Sequence, residues 1–278
     1  MLISLCNEAL GPMPFAEQCA FARAVGYDGL ELAPFTLGNE PWRLPANERA
    51  RIRNIASDAG IRITGSHALL WGLDAASITT ADERRRRETI DILRGLIELT
   101  ADLGGQVMVH GSPMARLLDE PDGDKRGTDS FAAIAQDAEA AGIAYCIEPL
   151  TKKENVFIKT IAEALDVASA IGSTAICSMI DCAAAAAGES ESVPDLIRRH
   201  IPGGRIAHIH FNDPNRRGPG EGTLAFAPII AALRDTGFAG NAAVEPFVFE
   251  PDGPTCAARQ IGYLRGVLES VPNWVRLS

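Results

Sequence analysis

Acidic and imidazole side chains recur where short apolar runs of this chain give way to loops: Glu31, His67, His110, Glu148, Asp181, His210 and Glu245. Four of them, Glu148, Asp181, His210 and Glu245, close four consecutive runs. Taken singly, each would be an ordinary cap or ion-pair partner. Brought together in a partly dry space, three carboxylates repel one another and take up protons unless a cation neutralises them. Oxygen donors with one imidazole suit a single divalent ion, Mn²⁺ first, with Mg²⁺, Co²⁺ and Zn²⁺ as alternatives. The stretch "IAHIHFNDPNRRGPGEG" (206–222) shows the pattern in compressed form, an alternating strand that ends in polar and glycine-rich chemistry. His208 shares a strand face with His210 but lies deeper, so it reads as a hydrogen-bonded support and not as a ligand.

Such residues need elements to carry them. Hydrophobic periodicity predicts strands over 2–6, 29–32, 61–65, 106–110, 144–148, 175–181, 206–211 and 242–245. Longer stretches of helical spacing separate them, among them "PFAEQCAFARAVG", "SFAAIAQDAEAAG" and "IKTIAEALDVASAIG". Several end in glycine just before the next strand, as at Gly26, Gly142 and Gly172, and Ser130 and Thr160 stand where N-caps belong. Eight strands alternating with helices, with no linker and no repeat, predict an α/β fold, one (β/α)8 TIM barrel spanning 1–278. Barrels of this kind use about 250 residues and place their chemistry at the carboxyl ends of the strands. An open doubly wound sheet is the weaker reading, because no Gly-x-Gly-x-x-Gly follows the first strand. The "GSPMARLLDEPDGDKRGT" stretch reads as a long loop, a lid or a surface excursion.

Bulk properties narrow the function. A formal net charge of −10 repels polyphosphate backbones, which argues against a nucleic-acid partner. The run Arg84 to Arg87 sits among Asp82, Glu83 and Glu88 and reads as a solvated helix face. No apolar stretch is long enough to span a bilayer, and the first residues lack a secretion signal. Six scattered cysteines without a C-x-x-C pair fit a reduced cytoplasm. A homo-oligomer is left open. Phe15, Trp42, Trp71 and Phe247 fall in or beside predicted loops, where they could wall a pocket or simply pack.

These residues carry a resemblance. The chain resembles the xylose-isomerase-like TIM-barrel superfamily of sugar phosphate isomerases and epimerases, especially its ketose 3-epimerase branch. "IEPLTKKEN" is similar to the family's E-P-L-N-x-x-E and implies a metal ligand at Glu148 and a substrate contact at Glu154. "MIDCAA" supplies Asp181. "HIHFNDPNRRGPGEG" looks like H-x-H-x-x-x-x-x-R-x-x-P-G, with His210 as ligand and Arg216 on the substrate, and "AAVEPF" gives Glu245. Two positions depart from the pattern. Ala184 stands where the family's D-x-x-H has its histidine, and Thr151 replaces the asparagine of E-P-L-N. His67 or His110 is a candidate for the missing hydroxyl donor.

The resemblance implies proton transfer next to a carbonyl of a sugar or sugar phosphate through an enediolate, with Glu148 and Glu245 as the acid/base pair. The alternative is a dehydratase acting on a polyol-derived ketone such as an inosose or dehydroshikimate. Multi-zinc endonucleases of the same superfamily need many histidines, and this chain has five.

Overall fold

We describe the protein from a computed structural model, for residues 1–150 and 155–271. Its eight parallel strands are β1 (Leu2–Cys6), β2 (Gly29–Leu32), β3 (Arg62–Ser66), β4 (Val107–His110), β5 (Ala144–Ile147), β6 (Ile176–Asp181), β7 (Ile206–Phe211) and β8 (Asn241–Val244). They pair in sequence order, and β1 closes on β8 through Leu2↔Asn241 to Leu5↔Val244. The helices between them are α1 (Phe15–Val25), α2 (Ala46–Asp58), α3 (Glu83–Asp102), α4 (Gly123–Ala141) and α5 (Ile161–Ile171). A short α6 (Cys182–Gly188) and α7 (Val193–His200) share the β6–β7 crossover, and α8 (Phe226–Asp235) and α9 (Gly253–Ser270) complete the jacket. The expected TIM barrel is thus the observed one.

Strands β4, β5 and β6 serve two apolar clusters. Outward residues such as Ile180, Ile209 and Phe211 join the helices in one large apolar layer, and each fully buried side chain there stabilises by about 1.5–3 kcal/mol. Val107, Val109, Cys146, Cys177 and Met179 form a separate cluster inside the barrel. Continuing that alternation past Cys146 and Met179 puts Glu148 and Asp181 on the inward face, above the cluster. Paired positions share a face, so Asp181↔His210 and His210↔Ala243 carry the inward side round to Glu245.

Local signals behave as their chemistry requires, with two exceptions. Thr160 forms a full capping box with Glu163, and Gly142 and Gly172 take φ of 68° and 77° at their helix ends. The basic run lies on α3, where Arg84 and Arg87 face Glu88 and Glu83 one turn away. Ser130, however, is no cap. Helix α4 begins at Gly123, and the Ser130 hydroxyl donates to Ile78 O (2.9 Å) and Arg126 O (2.8 Å). The presumed long loop after β4 is therefore partly helix. Its first part is pinned by a Leu117–Val156 bridge and by the buried Arg116, whose Nη2 donates to Glu148 O at 2.8 Å.

Candidate active site

Glu148 and Glu245 stand one residue beyond β5 and β8. They still follow strand geometry, because their amides donate to His110 O (3.3 Å) and Phe211 O (3.2 Å) of the neighbouring strands. With Asp181 at the end of β6 and His210 on β7, they offer four ligand atoms all within 4.8 Å of one another. Gly111, opposite on the β4 loop, makes room for this. A Cβ there would meet Glu148 Oε2 at 1.7 Å.

The groups around the four fix their orientation. Asp181 Oδ1 accepts the Ala184 amide at the start of α6 (2.6 Å), and Oδ2 accepts Asn212 Nδ2 (2.6 Å). The same Asn212 nitrogen donates to Glu245 Oε2 (3.2 Å), while its Oδ1 accepts the Ala183 amide (2.9 Å). His210 Nε2 meets Glu31 Oε1 at 3.0 Å, and both residues are fully buried. Since an ionised carboxylate only accepts, that contact puts the ring proton on Nε2. Nδ1 is left without a hydrogen bond, 3.0 Å from Glu245 Oε2 and 3.9 Å from Asp181 Oδ2. An imidazole nitrogen facing two carboxylates, holding a proton only while no cation takes its place, fits a divalent cation, as does the donor set.

The electrostatics agree. Burial pushes the Glu148 carboxyl up to about 8, with the Glu245 and Asp181 charges adding to it. Burial and Glu245 push Asp181 up to about 6. Burial would also raise Glu245, but the facing His210 outweighs it and holds the group below the usual carboxylate range. Burial alone would lower His210, yet Glu245 and Glu31 raise it well above the ordinary value. Such a cluster binds protons in place of a metal and releases them when the metal enters.

Beneath it lies a second polar layer. Glu31 Oε2 is 2.8 Å from His208 Nε2, and Glu31 Oε1 is 3.5 Å from His67 Nδ1. His67 Nε2 in turn contacts Glu8 Oε1 at 3.0 Å. Burial opposes a charge on His67, but Glu8 and Glu31 raise it to about 9. His67 thus faces these two carboxylates, with its Nδ1 left without a hydrogen bond. His208 is the buried support expected of it.

His110, a candidate hydroxyl donor, is placed away from the cluster. Val107 and Val109 take the inward positions of β4, so His110 turns outward to the helices. There its Nδ1 pairs with Tyr145 Oη (2.6 Å) and its ring meets Phe131 edge-on at 5.2 Å. Arg216 does reach the mouth. Held at a φ of 69°, it lines a pocket of about 240 Å³ with Glu148, Asp181 and Ala184, its guanidinium 5.5 Å from the centre of the Phe247 ring. Arg217 instead pairs with Glu250. Glu154, with Thr151, falls outside the described residues.

Sequence reasoning gave no role to Glu31, Asn212 or Gly111. The available signals were an acid closing an otherwise apolar strand, an amide directly after the H-x-H strand, and a glycine at the inward position after His110.

Comparison with known proteins agrees with this architecture. Residues 19–267 match the family described as xylose isomerase-like TIM barrel. The chain is 30% identical to D-psicose 3-epimerase of Ruminiclostridium cellulolyticum over 81% of its own length and 75% of the relative's. It is 23% identical to fructoselysine 3-epimerase of Shigella flexneri over 89% of this chain and 91% of that one. In fold it superposes on the solved structure of D-psicose 3-epimerase with D-tagatose from Clostridium cellulolyticum H10 with a TM-score of 0.82, at 21% identity, covering 96% and 99% of the two chains.

Proposed function

Because this chain belongs to the xylose isomerase-like TIM-barrel family, we propose that it is a metal-dependent ketose epimerase. In this reading Glu148, Asp181, His210 and Glu245 hold one divalent ion, Mn²⁺ by preference, and Glu148 and Glu245 move the proton. The observation that carries it is His210 Nδ1, turned toward the Glu245 and Asp181 carboxylates at 3.0 and 3.9 Å while Glu31 holds the opposite nitrogen. The names of the relatives favour epimerisation, and the dehydratase alternative is not favoured.

When bound, the ion supplies Lewis acidity toward a carbonyl oxygen and the hydroxyl beside it. The chain's own residues do the rest. Glu148 and Glu245 are the outer two of four consecutive ligand strands, so they flank a ketose laid across the site. One takes the proton from the carbon next to the carbonyl, and the other returns a proton to the opposite face. Acid–base help of this kind contributes ~10²–10⁴-fold. Arg216 sits at the mouth to hold the oxygen on which negative charge grows, and losing such a donor costs about 10²–10³-fold in kcat. Asn212 keeps Asp181 and Glu245 in place. Arg217 is tied to Glu250, which leaves Arg216 as the cation lining the described pocket. The described residues include no helix long and apolar enough to cross a membrane.

The test is epimer formation. Glu148→Gln and Glu245→Gln should each abolish conversion of a ketose to its epimer, with far-UV circular dichroism unchanged. Near wild-type epimer formation in either variant removes that residue from the acid/base pair.

A further inference from the structure

The polar layer beneath the four proposed ligands contains a donor set that the epimerase reading leaves unused. Cys6 ends β1, and its register partner Glu31 stands on β2, so both side chains point into the barrel. Glu31 pairs in turn with Gly65 of β3, and His67 follows two residues later on the same face. One ligand atom from each of Cys6, Glu31 and His67 lies within 4.8 Å of the other two, and all three residues are buried.

Their contacts are not those of a closed hydrogen-bond network. His67 Nε2 meets the Glu8 carboxylate at 3.0 Å, and Nδ1, on the Glu31 side of the ring, has no hydrogen bond. Its distance to Glu31 Oε1 is 3.5 Å, beyond the roughly 2.7–3.2 Å of an N–H···O bond. Two donors about 2.0–2.2 Å from a shared tetrahedral ion stand about 3.3–3.6 Å apart, so this spacing suits ligands of one cation. Glu31 has the capacity for it. His208 and His210 meet separate oxygens of its carboxylate, which offers about four lone pairs. Until a cation enters, His67 holds a proton, as does the Cys6 thiol, which burial and then the Glu8 and Glu31 charges keep well above its ordinary value.

Donor chemistry separates this set from the cluster above it. Carboxylate oxygens suit Mn²⁺, whereas sulfur with imidazole suits Zn²⁺. We propose a second cation site, for a thiophilic divalent ion such as Zn²⁺, made by Cys6, Glu31 and His67 with the fourth tetrahedral position open to water. It ties together the ends of β1, β2 and β3, where the first site joins β5 to β8. It shares no residue with the four proposed ligands, so the two sites can fail separately.

The experiment titrates Co²⁺ into the metal-free full chain, because Co²⁺ replaces Zn²⁺ and absorbs in the near ultraviolet when a thiolate binds it. The parent should take up two ions per chain, one of them with the thiolate absorption. Cys6→Ser should take up one and lose the absorption, with circular dichroism unchanged. His67→Gln keeps a donor for Glu8 and should weaken the thiolate-bound ion by at least about 10-fold while the other ion binds as before. A single ion with the absorption, weakened in both variants, supports this site and counts against the first. Absorption that never appears, or that survives in Cys6→Ser, overturns the proposal. So does unchanged affinity in His67→Gln, because Cys6 Sγ also lies within 4.8 Å of donors on His210 and Glu245, and the ion would then sit there.

Discussion

Replacing Gly111 by alanine puts a single methyl group into the space occupied by the Glu148 carboxylate. The ideal Cβ lies 1.7 Å from Oε2, and real Cβ atoms essentially never approach within 3.0 Å. The carboxylate must therefore retreat by about 1.3 Å or turn away altogether. Gly111 has no left-handed φ, so alanine is acceptable to the backbone, and the displaced group is the free end of a long side chain. The fold should survive and the site should not. A misplacement of about 1 Å at a reacting group costs roughly 10²-fold, or about 2.7 kcal/mol of barrier. We expect Gly111→Ala to lose at least that factor in kcat/KM and to bind Mn²⁺ more weakly. Activity comes from epimer formation, metal content from mass spectrometry, and integrity from thermal melting of the apoprotein. A variant that melts like the parent and keeps kcat/KM within about threefold would refute the placement of Glu148.

Glu31→Gln should weaken Mn²⁺ binding by about 10–100-fold, measured by titration calorimetry, without removing a ligand. The amide nitrogen can donate to His210 Nε2 and drive the proton onto Nδ1, the nitrogen that should carry the lone pair; unchanged affinity would dismiss this lock. Burial and Arg116 hold His110 well below its ordinary value, so it stays neutral when folded but charges when unfolded. Its contribution is therefore present above pH ~6.5 and lost as pH falls below it, at up to about 1.4 kcal/mol per pH unit. Urea unfolding of His110→Phe should show a shallower loss of stability between pH 7 and 5 than the parent. Equal slopes would mean that the imidazole is protonated in the folded state.

Much of the fold was legible because helices and strands here keep separate periods. The strand ends that carry the four proposed ligands could be counted directly from the chain. What escaped was set by contacts distant in sequence. The partner of His210 is Glu31, 179 residues away, and no spacing rule links them. "VMVH" is apolar on both faces up to its last residue, so nothing in it revealed that His110 turns outward. The start of α4 was hidden by turn-forming residues. Gly127 looks like a break, but it stays helical and lets the Phe157 ring pack close, since a Cβ would lie 2.5 Å from that ring.

The chain divides the labour of its site unevenly along its length. All four proposed cation donors lie between residues 148 and 245, whereas the carboxylate that faces the imidazole's other nitrogen is at residue 31. A polypeptide bisected between β4 and β5 would hand all the donors to one piece and the tautomer control to the other. Tight ion uptake would then become a gauge of reassembly between the two pieces.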